Sequence, residues 1–423
     1  MYLIVNVLGL IVFIGLACLF SKKKKEIRWK SIGIMLMLNL CMTWFLTSFT
    51  IGRTMVQLAA EGFDKMVKVS YQGIWFIFPA QYQNVEALGK LGFFVTVLMP
   101  ILLIVPLFDI LTYIGVLPFV IKWLGKAISK ITGQPKFESF FAIEMMFLGN
   151  TEALAVSSLQ LKLINKQRNL TIAMMSMSCV TASIIGAYIA MMPAQFILTA
   201  IPVNIINSII ISSILHPVSV SQEEDTVAQM SGSHAEATEV GSIREREETK
   251  QEGMIEKEPF FSFLGDSIVG AGKLILIIAA NVIAFVAIAA LIDKVLQLVN
   301  PWLTLEHLLG IVMFPFAWLM GLNTHTAFEM AQYMGTKLVT NEFVVMSKVT
   351  GNIAHFPNHY RAVLTVFITS FANFSTLGMI IGCFKGLVDK EKNEYIAKNV
   401  SYMLLSGILV SLLSAAIVGL FVW

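Results

Sequence analysis

Two carboxylates stand in mostly apolar surroundings, Glu152 in FAIEMMFLGNTEALAVSSL and Glu342 in AQYMGTKLVTNEFVVM. A charge at mid-bilayer depth costs about 2.5–3.5 kcal/mol on insertion scales, so an intramembrane acid lines a polar cavity or has a partner. Asn150 and Thr151 put an amide and a hydroxyl beside the first acid, and Asn341 puts an amide beside the second. Donors and acceptors fixed together with little net charge suit a neutral, hydrogen-bonding solute. Each glutamate could instead cap its own helical arm by accepting from backbone N–H groups. Capping accounts for one such acid, but not for two in contexts that echo each other, FESFFAIEMMFLGNTE at 137–152 and FEMAQYMGTKLVTNE at 328–342. Duplicated polar tips at membrane depth point to a transporter built from two related halves.

A third polar group lies in FANFSTLG at 371–378, where Phe371 precedes Asn373, Ser375 and Thr376. An aromatic face beside polar groups suits a flat heterocycle, although a lone Phe is more often packing. Met145, Met146, Met174, Met175 and Met177 read as adaptable packing rather than a metal relay. His325 could titrate near neutral pH or simply sit at the surface, and Asp109 reads as interfacial. The chain has no His-Glu-x-x-His, no phosphate-cradling glycine loop and no paired Asp cluster, so an embedded enzyme has little support, and nothing calls for a cofactor. Its cysteines, Cys18, Cys41, Cys179 and Cys383, lie singly, without metal or disulfide spacing.

The elements that must hold these groups follow from composition. Of 423 residues, 57% are hydrophobic and 13% charged, and the mean hydropathy is +0.76, which describes an all-α polytopic membrane protein. The net charge of +3 carries no nucleic-acid signal, because the basic residues cluster at segment ends. MYLIVNVLGLIVFIGLACLF has no positive n-region and is followed by SKKKKEIRWK, the order of an uncleaved first span with its N-terminus outside. A second span follows at 31–51, a mixed segment expected outside at 52–89, and a third span near 90–113. Lys122, Lys126 and Lys130 then recur on one face of 118–133, the pattern of a helix lying on the membrane surface.

The arms around GNTE, within 137–165, are too short to cross a hydrocarbon core of about 30 Å, which predicts a re-entrant hairpin with its polar tip at the midplane. Residues 170–193 form a span whose centre, SMSCVTAS, tolerates an unwound segment only where it lines a cavity. A fifth span runs near 196–215, and 216–258 reads as an acidic, disordered cytoplasmic loop. The order then repeats: a span at 264–292, an amphipathic segment at 302–321, a hairpin centred on TNE, a broken span at 360–386 around FANF, and a last span at 399–422. The single span at 264–292 reverses the starting side, so the repeats are inverted and the C-terminus lies outside. The units expected are therefore 1–89, a first repeat at 90–215, the loop at 216–258, and a second repeat at 259–423.

At FLGNTEA, MGTKLVTNEF and FANFSTLG the chain resembles the concentrative nucleoside transporter family, particularly its bacterial NupC-type permeases, from about residue 90 to the C-terminus. In that family the first tip reads G-Q-[ST]-E and holds the nucleobase. This implies Asn150, Thr151 and Glu152 on the base, with Ile184 as apolar lining from the broken fourth span. Asn in place of Gln at 150 shortens the amide arm by one methylene, which bears on base preference. The family's NEF glutamate, and its FANF asparagine with the hydroxyl three residues on, bind ribose, implying Glu342, Asn373 and Thr376. Phe371, Asn341 and Ser375 would flank them. The resemblance further implies a homotrimer, eight spans plus two re-entrant hairpins, and elevator-like movement of the hairpin-bearing domain.

Sodium-coupled relatives hold the ion between the first hairpin and the unwound fourth span, with oxygen-bearing side chains at positions that read Met145 and Cys179 here. Neither side chain offers the hard oxygen that sodium requires. The expectation is a proton-coupled nucleoside importer of the bacterial inner or plasma membrane, with a buried carboxylate such as Glu152 or Glu342 carrying the proton. The alternatives are a sodium-coupled nucleoside or nucleobase carrier and, from another class, a ligand-sensing membrane receptor.

Overall fold

The computed structural model describes residues 2–78, 91–178, 180–221, 224–225, 227 and 258–423, and its regular elements are helices. Cys179, the 79–89 end of the external segment and most of the expected acidic loop lie outside the described residues. Among the described residues, six helices are long and apolar enough to cross a membrane: α1 (Tyr2–Leu19), α2 (Trp29–Thr47), α4 (Phe94–Tyr113), α11 (Ala194–Leu215), α12 (Phe260–Gln297) and α19 (Val400–Gly419). The mixed stretch between α2 and α4 is largely helical: α3 (Thr50–Ile77) is a 28-residue amphipathic helix. Its charged residues, among them Arg53, Glu61, Asp64 and Lys65, interrupt the hydropathy that marks a span but share one face at helical spacing.

The first unit runs α4, then α5 (Val116–Thr132), α6 (Lys136–Leu148), α7 (Asn150–Val156), α8 (Ser158–Leu163), α9 (Lys166–Ser176), a 3₁₀ turn at Ala182–Ile184, α10 (Ile185–Ile189) and α11. The second repeats that order with α12, α13 (Leu305–Trp318), α14 (Thr324–Val339), α15 (Glu342–Val349), α16 (Asn358–Ile368), α17 (Phe374–Leu387), the short α18 (Lys390–Ala397) and α19. Both helix–tip–helix hairpins and both broken spans fall where the polar clusters lie. On α5, Lys122, Lys126 and Lys130 are all exposed, while Leu117, Ile121 and Gly125 are buried.

The two hairpins are rooted at opposite ends of the molecule. At one end the Lys22 ammonium donates to Asn399 Oδ1 (2.5 Å) and its backbone N–H to Leu215 O (2.9 Å). Lys392 there donates to the Lys162 carbonyl (2.6 Å) at the base of hairpin 1, and Lys166 pairs with Glu391 (2.7 Å). At the other end His359 stacks on Trp423 with ring centroids 3.9 Å apart, and its Nε2 lies 2.9 Å from Met320 O, at the base of hairpin 2. α1 joins the ends, and its 18 residues span about 27 Å.

The core is built around α11 and α19, which pack on one another and carry their polar groups inward in pairs. Asn39 Nδ2 donates to Asn207 Oδ1 (2.8 Å), and Asn207 Nδ2 donates to Ser414 Oγ (2.9 Å). Gly407 of α19 lies where both span breaks converge. A Cβ there would stand 2.9 Å from Ala372 Cβ and 3.1 Å from Met177 Cβ, so the close approach of the two unwound segments requires glycine.

Candidate functional site

Each polar tip sits at the start of a helix whose free N–H groups must be satisfied. Asn341 is extended (φ −163°, ψ 178°), and its side chain accepts from Val344 N (3.1 Å), capping α15. Asn373 does the same for α17: its Oδ1 accepts from Thr376 N (2.8 Å) and from Thr376 Oγ1 (3.1 Å). Capping therefore falls to the asparagines, and the Glu342 side chain is left for other work.

That carboxylate is buried, and it joins the two halves. Oε1 accepts from the Tyr188 hydroxyl of α10 (3.1 Å), and Oε2 accepts from Asn373 Nδ2 (3.1 Å). Tyr188 also packs edge-on against Phe343, with centroids 5.2 Å apart. Glu342 and the neighbouring pair Asn373 and Thr376, which begins 31 positions on in sequence, form one bonded cluster with Asn341 at its edge. Both carboxylate oxygens therefore have a donor, one from each half of the molecule.

Hairpin 1 presents its groups differently. Gly149 adopts φ +88°, ψ 170°, and a Cβ there would meet Thr181 Cβ at 3.0 Å, so the tip rests directly on the break in the fourth span. Asn150 is buried, its Oδ1 accepts from Thr151 N (3.1 Å), and its Nδ2 has no acceptor. Thr151 is exposed and Glu152 half-buried. Among the described residues no hydrogen bond joins Glu152 to the Glu342 cluster, but α7 packs against α17, which brings the two tips to one region. Ile184 is buried in the 3₁₀ turn after Thr181, Phe371 is buried in the second break, and Ser375 is half-buried on α17.

Met145 is buried in α6, as are Met174, Met175 and Met177 in and after α9, in keeping with packing. His325 is exposed at the start of α14, about 24 Å of helix from the hairpin 2 tip. Asp109 accepts from Ser267 and ties α4 to α12. A cavity of about 970 Å³, lined by Thr47, Arg53, Gln57, Gln195 and Asn358 among others, opens near Trp423 and holds none of the site residues.

Besides Tyr188, two charged residues of this region escaped the sequence reading. Lys337, fully buried on α14, donates from Nζ to Phe367 O (2.6 Å), Ser370 Oγ (2.8 Å) and Ser411 Oγ (3.4 Å). An ammonium has three protons, and here it has three acceptors. Glu144, fully buried on α6, accepts from Ser157 Oγ (2.7 Å) through Oε2, while Oε1 has no partner. Lys337 and Glu144 stand as lone charges in the quoted strings MGTKLV and AIEMMF, and that was the available signal.

Three family descriptions match the chain: "Na+ dependent nucleoside transporter N-terminus" over residues 8–81, "Nucleoside recognition" over 94–195 and "Na+ dependent nucleoside transporter C-terminus" over 196–419. The purine nucleoside transport protein NupG of Bacillus subtilis (strain 168) is 42% identical over the full length of both chains. The nucleoside permease NupC of Helicobacter pylori is 25% identical over 99% of this chain and 97% of its own. Human solute carrier family 28 member 3 is 24% identical over 97% of this chain and 59% of its own. Among solved structures, CNTnw in an inward-facing substrate-bound state aligns with TM-score 0.86 at 22% identity, over all of this chain and 98% of the other. A doubly substituted CNTnw in an outward-facing state aligns with TM-score 0.85 at the same identity.

Proposed function

We propose that this chain, which belongs to the concentrative nucleoside transporter family, imports purine nucleosides across the plasma membrane together with protons. The observation that carries the reading is the Glu342–Asn373–Thr376 cluster. A buried carboxylate with polar neighbours, reached from both halves of the molecule, is built to exchange its internal hydrogen bonds for those of a vicinal diol. Glu342, Asn373 and Thr376 hold the ribose, with Asn341, Ser375 and Phe371 flanking. Asn150, Thr151 and Glu152 take the base, for which the unpaired Asn150 Nδ2 is a ready donor, and Ile184 lines its apolar face. Purine preference follows from the relative at 42% identity, a purine nucleoside transport protein.

Support for protons over sodium comes from the donor set. The matching family descriptions name sodium, but Met145 and Cys179 bring no hard oxygen to the positions that relatives use, so neither is an ion ligand here. The orientation has support from the basic residues: Lys22, Lys162, Lys166 and Lys392 gather at one end, which the positive-inside rule puts in the cytoplasm, leaving both termini outside. The hairpins are then re-entrant, one from each face. The exposed apolar residues of α12, among them Leu276, Ile283 and Leu291, face lipid or the other subunits of a homotrimer.

Uptake of labelled adenosine, guanosine and uridine into transport-null cells tests the reading. Adenosine and guanosine should accumulate, a protonophore should collapse the uptake, and choline in place of sodium should leave it unchanged. Uptake that requires sodium and survives the protonophore would assign the coupling to sodium.

A further inference from the structure

Glu144 is a carboxylic acid sealed inside hairpin 1, and neither solute recognition nor packing accounts for it. It lies on α6 about 7 Å of helix before the tip glycine. Its side chain is inaccessible, one oxygen takes the Ser157 hydroxyl from the returning arm at 2.7 Å, and the other takes nothing. An ionised carboxylate with a bare oxygen in such a place carries a desolvation cost far above that of the neutral acid. Nothing nearby offsets that charge. Of the elements packed on α6, α11 and the 182–184 turn carry no ionisable side chain. The lysines of α5 (Lys122, Lys126 and Lys130) are exposed. On α9, Lys166 is paired with Glu391, and the Arg168 guanidinium is taken by both oxygens of Glu138 (2.7 and 2.8 Å). The remaining charge is Glu152 on α7, of the same sign. Among the described residues no cation pairs with Glu144.

We propose that Glu144 is the residue that carries the coupled proton, an inference that rests on the proton-coupled reading above. In the closed hairpin it holds the proton on Oε1, with Oε2 fixed by Ser157. The O–H bond forms when hydronium on the outer face gives its proton to Oε1 and leaves as water, and it breaks when the hairpin opens to the cytoplasm, giving the proton to water there as hydronium. Charge on Glu144 is affordable only where water reaches it, so its protonation and the position of hairpin 1 are linked. Glu152 and Glu342 suit this role less well: Glu152 is half-open at the tip, and both oxygens of Glu342 already take donors.

The test uses the full chain in proteoliposomes carrying a pH-sensitive dye, with labelled adenosine. At one proton per nucleoside, a gradient of one pH unit supports about tenfold accumulation. Wild type should reach that level and acidify the lumen on adding adenosine. Glu144→Gln, a permanent neutral acid mimic, should show neither, while labelled adenosine still exchanges for unlabelled. Ser157→Ala keeps the acid and removes its hydrogen bond, and should move the pH of half-maximal uptake by about one unit. If Glu144→Gln does not insert, Ser157→Ala and Glu144→Asp decide, each expected to shift that pH while keeping coupling. Lumen acidification that persists in Glu144→Gln, or an unmoved pH profile in both other variants, overturns the assignment and leaves proton coupling intact. A wild type that accumulates adenosine on sodium without acidifying the lumen overturns both.

Discussion

On the proposed reading, Glu342 serves two roles at different stages. With its oxygens held by Tyr188 and Asn373 it is satisfied without solute, so a nucleoside bound there would gain only by presenting hydroxyls that match or exceed those donors. Replacing the carboxylate by an amide removes one acceptor and turns an N–H₂ toward one of two groups that each donate. Glu342→Gln is therefore expected to abolish nucleoside uptake with membrane expression intact, and Glu152→Gln to do the same from the base side. Uptake by either variant near the wild-type rate, normalised to surface protein, would remove that glutamate from the site. The NEF and FANF strings made Glu342, Asn373 and Thr376 legible, because residue types and short spacings carried them. Tyr188 was not legible: its bond to Glu342 spans 154 positions, and a tyrosine in an apolar segment has no local mark of its partner.

The half-helices that frame the site end inside the molecule, where each terminus leaves backbone groups to be satisfied. Asparagines do this at the N-termini of α15 and α17, while at the C-terminus of α16 Lys337 does it. Its ammonium sits on the Phe367 carbonyl and above the Phe367 ring, 4.5 Å from the centroid. Ser411 gives its proton to Gly407 O (2.9 Å), so Ser370 donates to Ser411 (2.6 Å) and accepts from Lys337, and the chain of bonds runs one way. Lys337→Met should strip three acceptors of their donor at a cost of about 1–3 kcal/mol for each that stays dry. The detergent-solubilised variant is expected to melt several degrees lower, and an unchanged melting temperature would show that water replaces the ammonium. The breaks themselves were legible in SMSCVTAS and FANFSTLG, since hydroxyls displace leucine only where the backbone is not facing lipid. α3 was not, because evenly dispersed charge hides an amphipathic helix from a reading tuned to apolar runs.

At the scale of the whole molecule, hairpins rooted at opposite ends bring two polar tips to one region, which is the arrangement that alternating access requires. On the proposed reading, with one proton coupled to each neutral nucleoside, each cycle would move one positive charge inward whichever residue carries it. A membrane potential of 100 mV supplies about 2.3 kcal/mol per charge, which corresponds to roughly fiftyfold accumulation at one proton per solute. In proteoliposomes with no pH gradient and an inside-negative potassium diffusion potential, adenosine should therefore accumulate, by about that factor at 100 mV. Reversing the potential should expel it. A channel would only equilibrate it, and a receptor would hold no more than one per binding site. Accumulation that ignores the sign of the potential would mean that a compensating charge moves with the nucleoside, and the one-proton cycle would fail.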